Sequence, residues 1–221
     1  MSSIVDGGMD FRRPFSVVAP TLDGDVLGVL AGAHEEFTGR RIHQMLGRGS
    51  EAGVRKAADR LVQQGIVTRR QAGQAKLYSL NRNHLAAGYI EGLGSLREKL
   101  IKKLKAAVSK WETPPAYMAL FGSVARGEAG PQSDLDLFVV RPPGTLAANL
   151  IWQEQLAKLE NDATVWTGNE ARIVQLRVKD LKDPEVRKIV REVQREGVPI
   201  YGDSSRLRLP PRKVRKARRT A

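Results

Sequence analysis

Between residues 22 and 80 apolar positions first recur at helical spacing and then switch to the two-residue alternation of strands. Val26, Leu27, Val29 and Leu30 suit a first helix. FTGRRIHQMLG predicts a second, with Thr38 as N-cap behind Phe37 and Gly47 as its stop. RGSEAGVRKAADRLVQQG predicts a third, capped by Ser50, with Val54, Ala57, Ala58, Leu61 and Val62 as its buried stripe and Gly65 at its end. IVTRR and AKLYSL read as two strands joined around Gly73. NRNHLAAGYIEGLG mixes glycine with polar residues and predicts a domain boundary near 83–93. LREKLIKKLKAAVSKW carries leucines on one side of a helix and lysines on the other. The rest alternates: AYMALF a strand, GSVARGE a turn with a short helix, SDLDLFVV a strand, TLAANLIWQEQLAKLEND a helix and ARIVQLRV a strand. DPEVRKIVREVQREG then predicts a helix with Asp183 as N-cap, Pro184 at its first helical position and Gly197 at its stop, and VPIYG closes the pattern. The second half is therefore expected to be an α/β or α+β domain with a mixed sheet.

Three helices followed by a basic hairpin resemble a winged helix-turn-helix of the kind found in transcriptional regulators, over about the first 85 residues. The resemblance implies contact with double-stranded DNA, the third helix entering the major groove and the hairpin straddling the backbone. The DNA-facing residues implied are Arg48, Ser50, Arg55 and Lys56 around the third helix, and Arg69, Arg70 and Lys76 on the hairpin. A winged helix used for protein contacts or for a homodimer is the competing reading.

Composition sharpens this division. The net charge is +13, and the stretch 204–221 alone holds eight lysines and arginines and no acid, which suits a polyanion or a solvated, disordered tail. The chain has no cysteine, which excludes disulfides, thiolate metal sites and a cysteine nucleophile. No apolar run approaches the roughly 18 residues of a membrane span, so no membrane is expected and a cytoplasmic, DNA-associated protein is. The expected layout is an N-terminal arm over 1–20, the DNA-binding domain over 21–90, the α/β domain over 91–203 and the tail over 204–221.

The chemistry concentrates in FGSVARGEAGPQSDLDLFVV, residues 121–140. Side chains alternate along a strand, so Asp134, Asp136 and Phe138 share one face while Leu135, Leu137 and Val139 share the other. Two neighbouring carboxylates repel, and keeping them together usually needs a cation or a functional reason. Gly122 allows close backbone approach to a phosphate, and Ser123 adds a hydroxyl.

Gly122-Ser123, a gap of ten residues and then Asp134-Leu135-Asp136 resemble the signature of minimal nucleotidyltransferases of the DNA polymerase β superfamily, over residues 95–202. The resemblance implies a nucleoside triphosphate as substrate or ligand, one or two Mg²⁺ held by Asp134 and Asp136, and nucleotide contacts from Gly122, Ser123 and Arg126. It further implies transfer of a nucleoside monophosphate to a hydroxyl, on a small molecule or on a partner protein such as a toxin. Active members carry a third carboxylate on a later strand. In ARIVQLRV the residue expected at that place is Gln175, with Glu170 or Asp180 as substitutes. Three functions follow: an antitoxin-like transferase with a DNA-binding module, a weak or inactive enzyme serving as a nucleotide-sensing regulator, and processing of nucleic acid ends. Few aromatics speak against the third.

Overall fold

The computed structural model describes residues 7–207. The start of the arm and most of the basic tail lie outside them. The chain divides into two compact units that do not follow a single cut in the sequence. The first takes Gly127–Ser133 and Val165–Asn169 together with the chain up to Lys103, and the second takes Leu104–Arg126, Asp134–Thr164 and the chain from Glu170.

The first unit runs α1 (Leu22–Ala31), β1 (Phe37–Thr38), α2 (Gly39–Leu46), α3 (Glu51–Gln63), β2 (Val67–Ala72), β3 (Ala75–Leu80) and α4 (Ala87–Gly94). The expected caps form: Thr38 Oγ1 accepts from Arg41 N at 3.1 Å, and Ser50 Oγ accepts from Gly53 N at 3.0 Å. Val26, Leu30, Ile42, Val54, Ala57, Ala58, Leu61, Ile66, Val67, Tyr78 and Leu80 form the core, so the stripe read on the third helix is indeed the buried one, save Val62 at its margin. Besides the 3-10 turn Pro14–Val17, two elements escaped the sequence pattern. Phe37 and Thr38 pair with Tyr78 and Leu77, adding a short strand that makes an antiparallel sheet in the order β1-β3-β2. The segment expected to hold the domain boundary forms α4, because Ala87 is buried and Ala86 and Ile90 pack on the same core, which outweighs the low helix propensity of its glycines.

The arm belongs to this unit's structure. Gly8 N donates to Pro131 O at 2.7 Å, Met9 N to Thr167 O at 2.9 Å and Phe11 N to Ala129 O at 2.9 Å. Asn169, 2% exposed, accepts from Met9 N and donates to Ser133 O at 2.9 Å, so one amide ties three separate stretches of chain.

Helix α5 (Leu96–Val108) runs from one division of the chain into the next. The second unit holds β4 (Tyr117–Phe121), α6 (Gly122–Arg126), β5 (Leu135–Arg141), α7 (Leu150–Thr167), β6 (Ala171–Arg177), α8 (Arg187–Glu196) and β7 (Val198–Tyr201). Its sheet has the order β6-β5-β4-β7, with β5 and β6 parallel and the other pairs antiparallel. This is the expected mixed sheet. The parallel pair requires a long crossover, which α7 supplies. One face of the sheet, with Tyr117, Phe121, Phe138 and Val140, packs against Val190 and Val193 of α8. Leu135, Leu137 and Val139 are buried on the other.

Helix α8 starts at Arg187, later than expected. Val178–Lys182 forms a 3-10 turn, and Pro184 lies in the turn before the helix, yet Asp183 bonds as expected of an N-cap: its carboxylate accepts from Glu185 N at 3.0 Å and its carbonyl from Arg187 N at 3.2 Å. The residues expected to open the tail, Ser204–Leu207, form another 3-10 turn, in which Leu207 is buried against the α8 face and its carbonyl accepts from Gln194 Nε2. No helix among the described residues is long and apolar enough to cross a membrane.

Candidate active site

Asp134 ends the loop before β5, and Asp136 lies in the strand opposite Phe121, the last residue of β4. The chain leaves β4 directly into Gly122, whose φ of +70° a residue with a side chain adopts only at a cost. A Cβ there would stand 2.6 Å from Asp136 Oδ2. Gly122 is thus required twice, for its backbone conformation and because the turn closes against a carboxylate. Ser123 follows it, half-buried, in the short helix α6. The turn and both acids predicted from the sequence therefore meet in one place.

Burial raises the Asp136 carboxyl above the ordinary aspartate range. Asp134 adds to the rise, Arg172 opposes it, and Glu192 of α8 adds a smaller push. Such a crowd of acids is the environment that a cation relieves.

Arg172 is the residue that sequence reasoning missed. Parallel pairing sets Asp136 level with Arg172 on β6, and Arg172 Nη1 lies 2.6 Å from Asp134 Oδ2. Its Nη2 reaches Glu170 Oε2 at 3.1 Å. Both partners are more than a third exposed or close to it, so the pair contributes little to stability and much to the local field.

Gln175 does not occupy the place expected for a third acid. It is level with Val139, on the opposite face from Asp134 and Asp136, and its Oε1 accepts from Trp152 Nε1 of α7 at 2.8 Å. Strand parity decides this: residues 172, 174 and 176 share the carboxylate face, whereas 173, 175 and 177 do not. Asp180 is no substitute either. It lies past the far end of β6, where both its oxygens accept from Arg177, and that guanidinium holds its pKa down to about 2. Glu170 is near enough to share Arg172 with Asp134, but it is bound to that guanidinium. Among the described residues no group of three or more His, Asp or Glu side chains is gathered to hold a metal.

Arg126 carries another load than the one expected of it. Its Nη1 lies 2.7 Å from Glu196 Oε1 and 3.8 Å from Glu192 Oε1, pinning α6 to α8. Burial works to raise Glu196, but the hydrogen bonds from Arg126 and Arg195 prevail and leave it below its ordinary value.

In the first unit most of the residues expected to face DNA have internal partners. Arg48 pairs with Asp25 at 3.1 Å, Arg55 with Glu51, Arg69 with Asp59 at 3.2 Å and Arg70 with Glu36. Ser50 caps α3. Lys56 and Lys76 are exposed.

Two donor carboxylates beside a glycine turn fit Mg²⁺, which is commonly held by one or two protein carboxylates with the remaining positions left to water and substrate phosphates. The fit has one obstacle, the Arg172 guanidinium already on Asp134.

A search of curated proteins finds no match to the chain. Among solved structures it is similar to a toxin-antitoxin with AMP-PNP, at 20% identity over 50% of this chain and 77% of that one, with a TM-score of 0.33. It is also similar to a mutant of the toxin-antitoxin MntA-HpeT, at 19% identity over 49% of this chain and 75% of that one, with a TM-score of 0.32. Residues 100–196, which hold the glycine turn, both aspartates and Arg172, match the family model of the nucleotidyltransferase domain.

Proposed function

We propose that this domain binds a nucleoside triphosphate with Mg²⁺ at Gly122, Ser123, Asp134 and Asp136 and transfers its nucleoside monophosphate to a hydroxyl acceptor. The observation that carries the reading is the closure of the Gly122 turn against Asp136, which sets a phosphate-compatible backbone beside two acids. Magnesium held there would neutralise the triphosphate and polarise its α-phosphorus. The acceptor oxygen forms a bond to that phosphorus, the bond to the β-phosphate oxygen breaks, pyrophosphate leaves and the hydroxyl proton passes to water. The acceptor class is a hydroxyl on a small molecule or on a partner protein, of the antitoxin–toxin kind.

A second reading has its own support. Arg172 stands where a metal site gains from an acid, and without a nearby base transfer loses a contribution of about 10² to 10⁴ in rate. A nucleotide-sensing regulator of low turnover is then the function, the bound nucleotide competing with Arg172 for Asp134.

Both readings include DNA as partner of the first unit, proposed as a winged helix-turn-helix. The order of helices and strands in that unit and the exposed Lys56 and Lys76 support it. The internal pairing of Arg48, Arg55, Arg69 and Arg70 lowers the charge offered to phosphate.

Incubation with labelled nucleoside triphosphates and Mg²⁺ separates the readings. Release of pyrophosphate, lost in Asp134→Asn and Asp136→Asn, supports transfer. Magnesium-dependent binding without release supports the sensor. Neither binding nor release rejects both.

A further inference from the structure

The end of the sheet remote from the two aspartates holds a cation that no acid among the described residues neutralises. Arg141, the last residue of β5, is 9% exposed, and its buried Nη1 has no hydrogen-bond partner among the described residues. A buried guanidinium without a counter-ion is costly, and cores normally avoid it. The strand register makes matters worse. Arg141 is paired with Arg177 of β6, which sets two like charges side by side on adjacent strands. Arg177 is neutralised by Asp180, through contacts of 2.8 Å to both carboxylate oxygens. Arg141 has no equivalent among the described residues.

These two arginines line a cleft of about 190 Å³ with Lys179 and the turn Pro142–Thr145. In that turn Thr145 N donates to Pro142 O at 3.3 Å. Gly144 has a φ of +84°, as at the third place of a type II turn, and the space where its Cβ would stand is open. The cleft therefore brings together a guanidinium that is nine-tenths buried and whose Nη1 has no partner among the described residues, a second arginine already balanced by Asp180, and the exposed Lys179. Its volume is below the roughly 300 to 1,000 Å³ of sites that take whole drug-sized ligands. One tetrahedral oxyanion fits that size and charge, and a nucleoside does not.

We infer that this cleft binds a single phosphate group, with Arg141 as its buried ligand and Lys179 at its mouth. Arginine is suited to it, since its planar fork matches phosphate oxygens two at a time. The site is distinct from the one proposed for the triphosphate, because five residues of strand, about 17 Å, separate Asp136 from Arg141. The phosphate is either the free ion or the terminal group of a small phosphate monoester.

Thermal unfolding and calorimetry of the full chain, with inorganic phosphate titrated against chloride at constant ionic strength, test the inference. Saturable binding that raises the melting temperature is expected. In Arg141→Met the phosphate-dependent part disappears, while the melting temperature without phosphate stays equal to that of the parent or rises, since an uncompensated buried charge has gone. Should that variant misfold, Lys179→Gln at the rim serves instead, with affinity for phosphate lowered by about tenfold through loss of a charged hydrogen bond. Glycerol phosphate distinguishes the sources: a response equal to that of inorganic phosphate assigns the site to a monoester, and no response assigns it to the free ion. A phosphate response unchanged in both variants, or absent from the parent, overturns the inference.

Discussion

Arg172 and Gln175 exchange the roles that their chemistry suggests. An amide looks like the relic of an acid, yet Gln175 faces the buried side of the sheet and accepts from the Trp152 indole. The guanidinium, a poor stand-in for a carboxylate, holds the place level with Asp136 and binds Asp134. The two residues therefore respond differently to acid substitution. Arg172→Asp is expected to increase magnesium-dependent pyrophosphate release by about tenfold or more, part of what a general base contributes. Gln175→Glu is expected to leave release unchanged and to lower stability, because it places a charge against the indole. Increased release in the second variant but not the first would show that the parity argument is wrong. Asp180 gives a separate residue-scale expectation, on stability. Its pKa is lowered from 3.8 to about 2 by Arg177, so its contribution is present above the unfolded value and is lost as pH falls. Denaturant unfolding between pH 5 and pH 2 should show the parent losing its advantage over Asp180→Asn across the window from about 4 to about 2. A constant difference across that range would contradict the assignment.

At the scale of elements, legibility followed periodicity. Helices α2 and α3 were readable with their caps because Thr38 and Ser50 sit where the apolar stripe begins, and both side chains accept the expected amides. Strands β4 to β7 were readable as well, and the alternation along β5 placed both aspartates on one face. The register between β5 and β6 was not, since pairing depends on two segments about 35 residues apart in sequence and no local pattern fixes it. That single unknown carried the error over Gln175. Helix α4 was hidden by its glycines, and the ordered arm by bonds to stretches more than 100 residues away. Asn169 is the hinge of that arrangement. Asn169→Ala removes an acceptor from Met9 N and a donor to Ser133 O, both in part-buried surroundings, and should cost about 1–3 kcal/mol in chemical denaturation. A loss below a few tenths of a kcal/mol would show that the arm is not held there.

For the whole molecule, net charge is a poor guide to where a polyanion would bind. The chain carries +13, yet the arginines expected to meet DNA are engaged with Asp25, Glu51, Asp59 and Glu36. DNA phosphates would have to compete with those carboxylates. The lysines without such pairs among the described residues should then dominate. Replacing Lys56 and Lys76 by glutamine is expected to weaken DNA binding and to reduce the salt dependence of the logarithmic affinity by about 0.9 for each phosphate no longer neutralised. Replacing Arg69 or Arg70 is expected to matter less. Binding that is insensitive to salt, or unaffected by the lysine changes, would remove DNA from the proposal.

The paired acids and the glycine turn are tested most directly by calorimetric titration of a nonhydrolysable nucleoside triphosphate into the protein, with and without Mg²⁺. Saturable heat that requires the metal, and that is lost in Asp136→Asn, is the result this reading of the site predicts. Uptake that is the same with and without magnesium, or that survives Asp136→Asn, would contradict it.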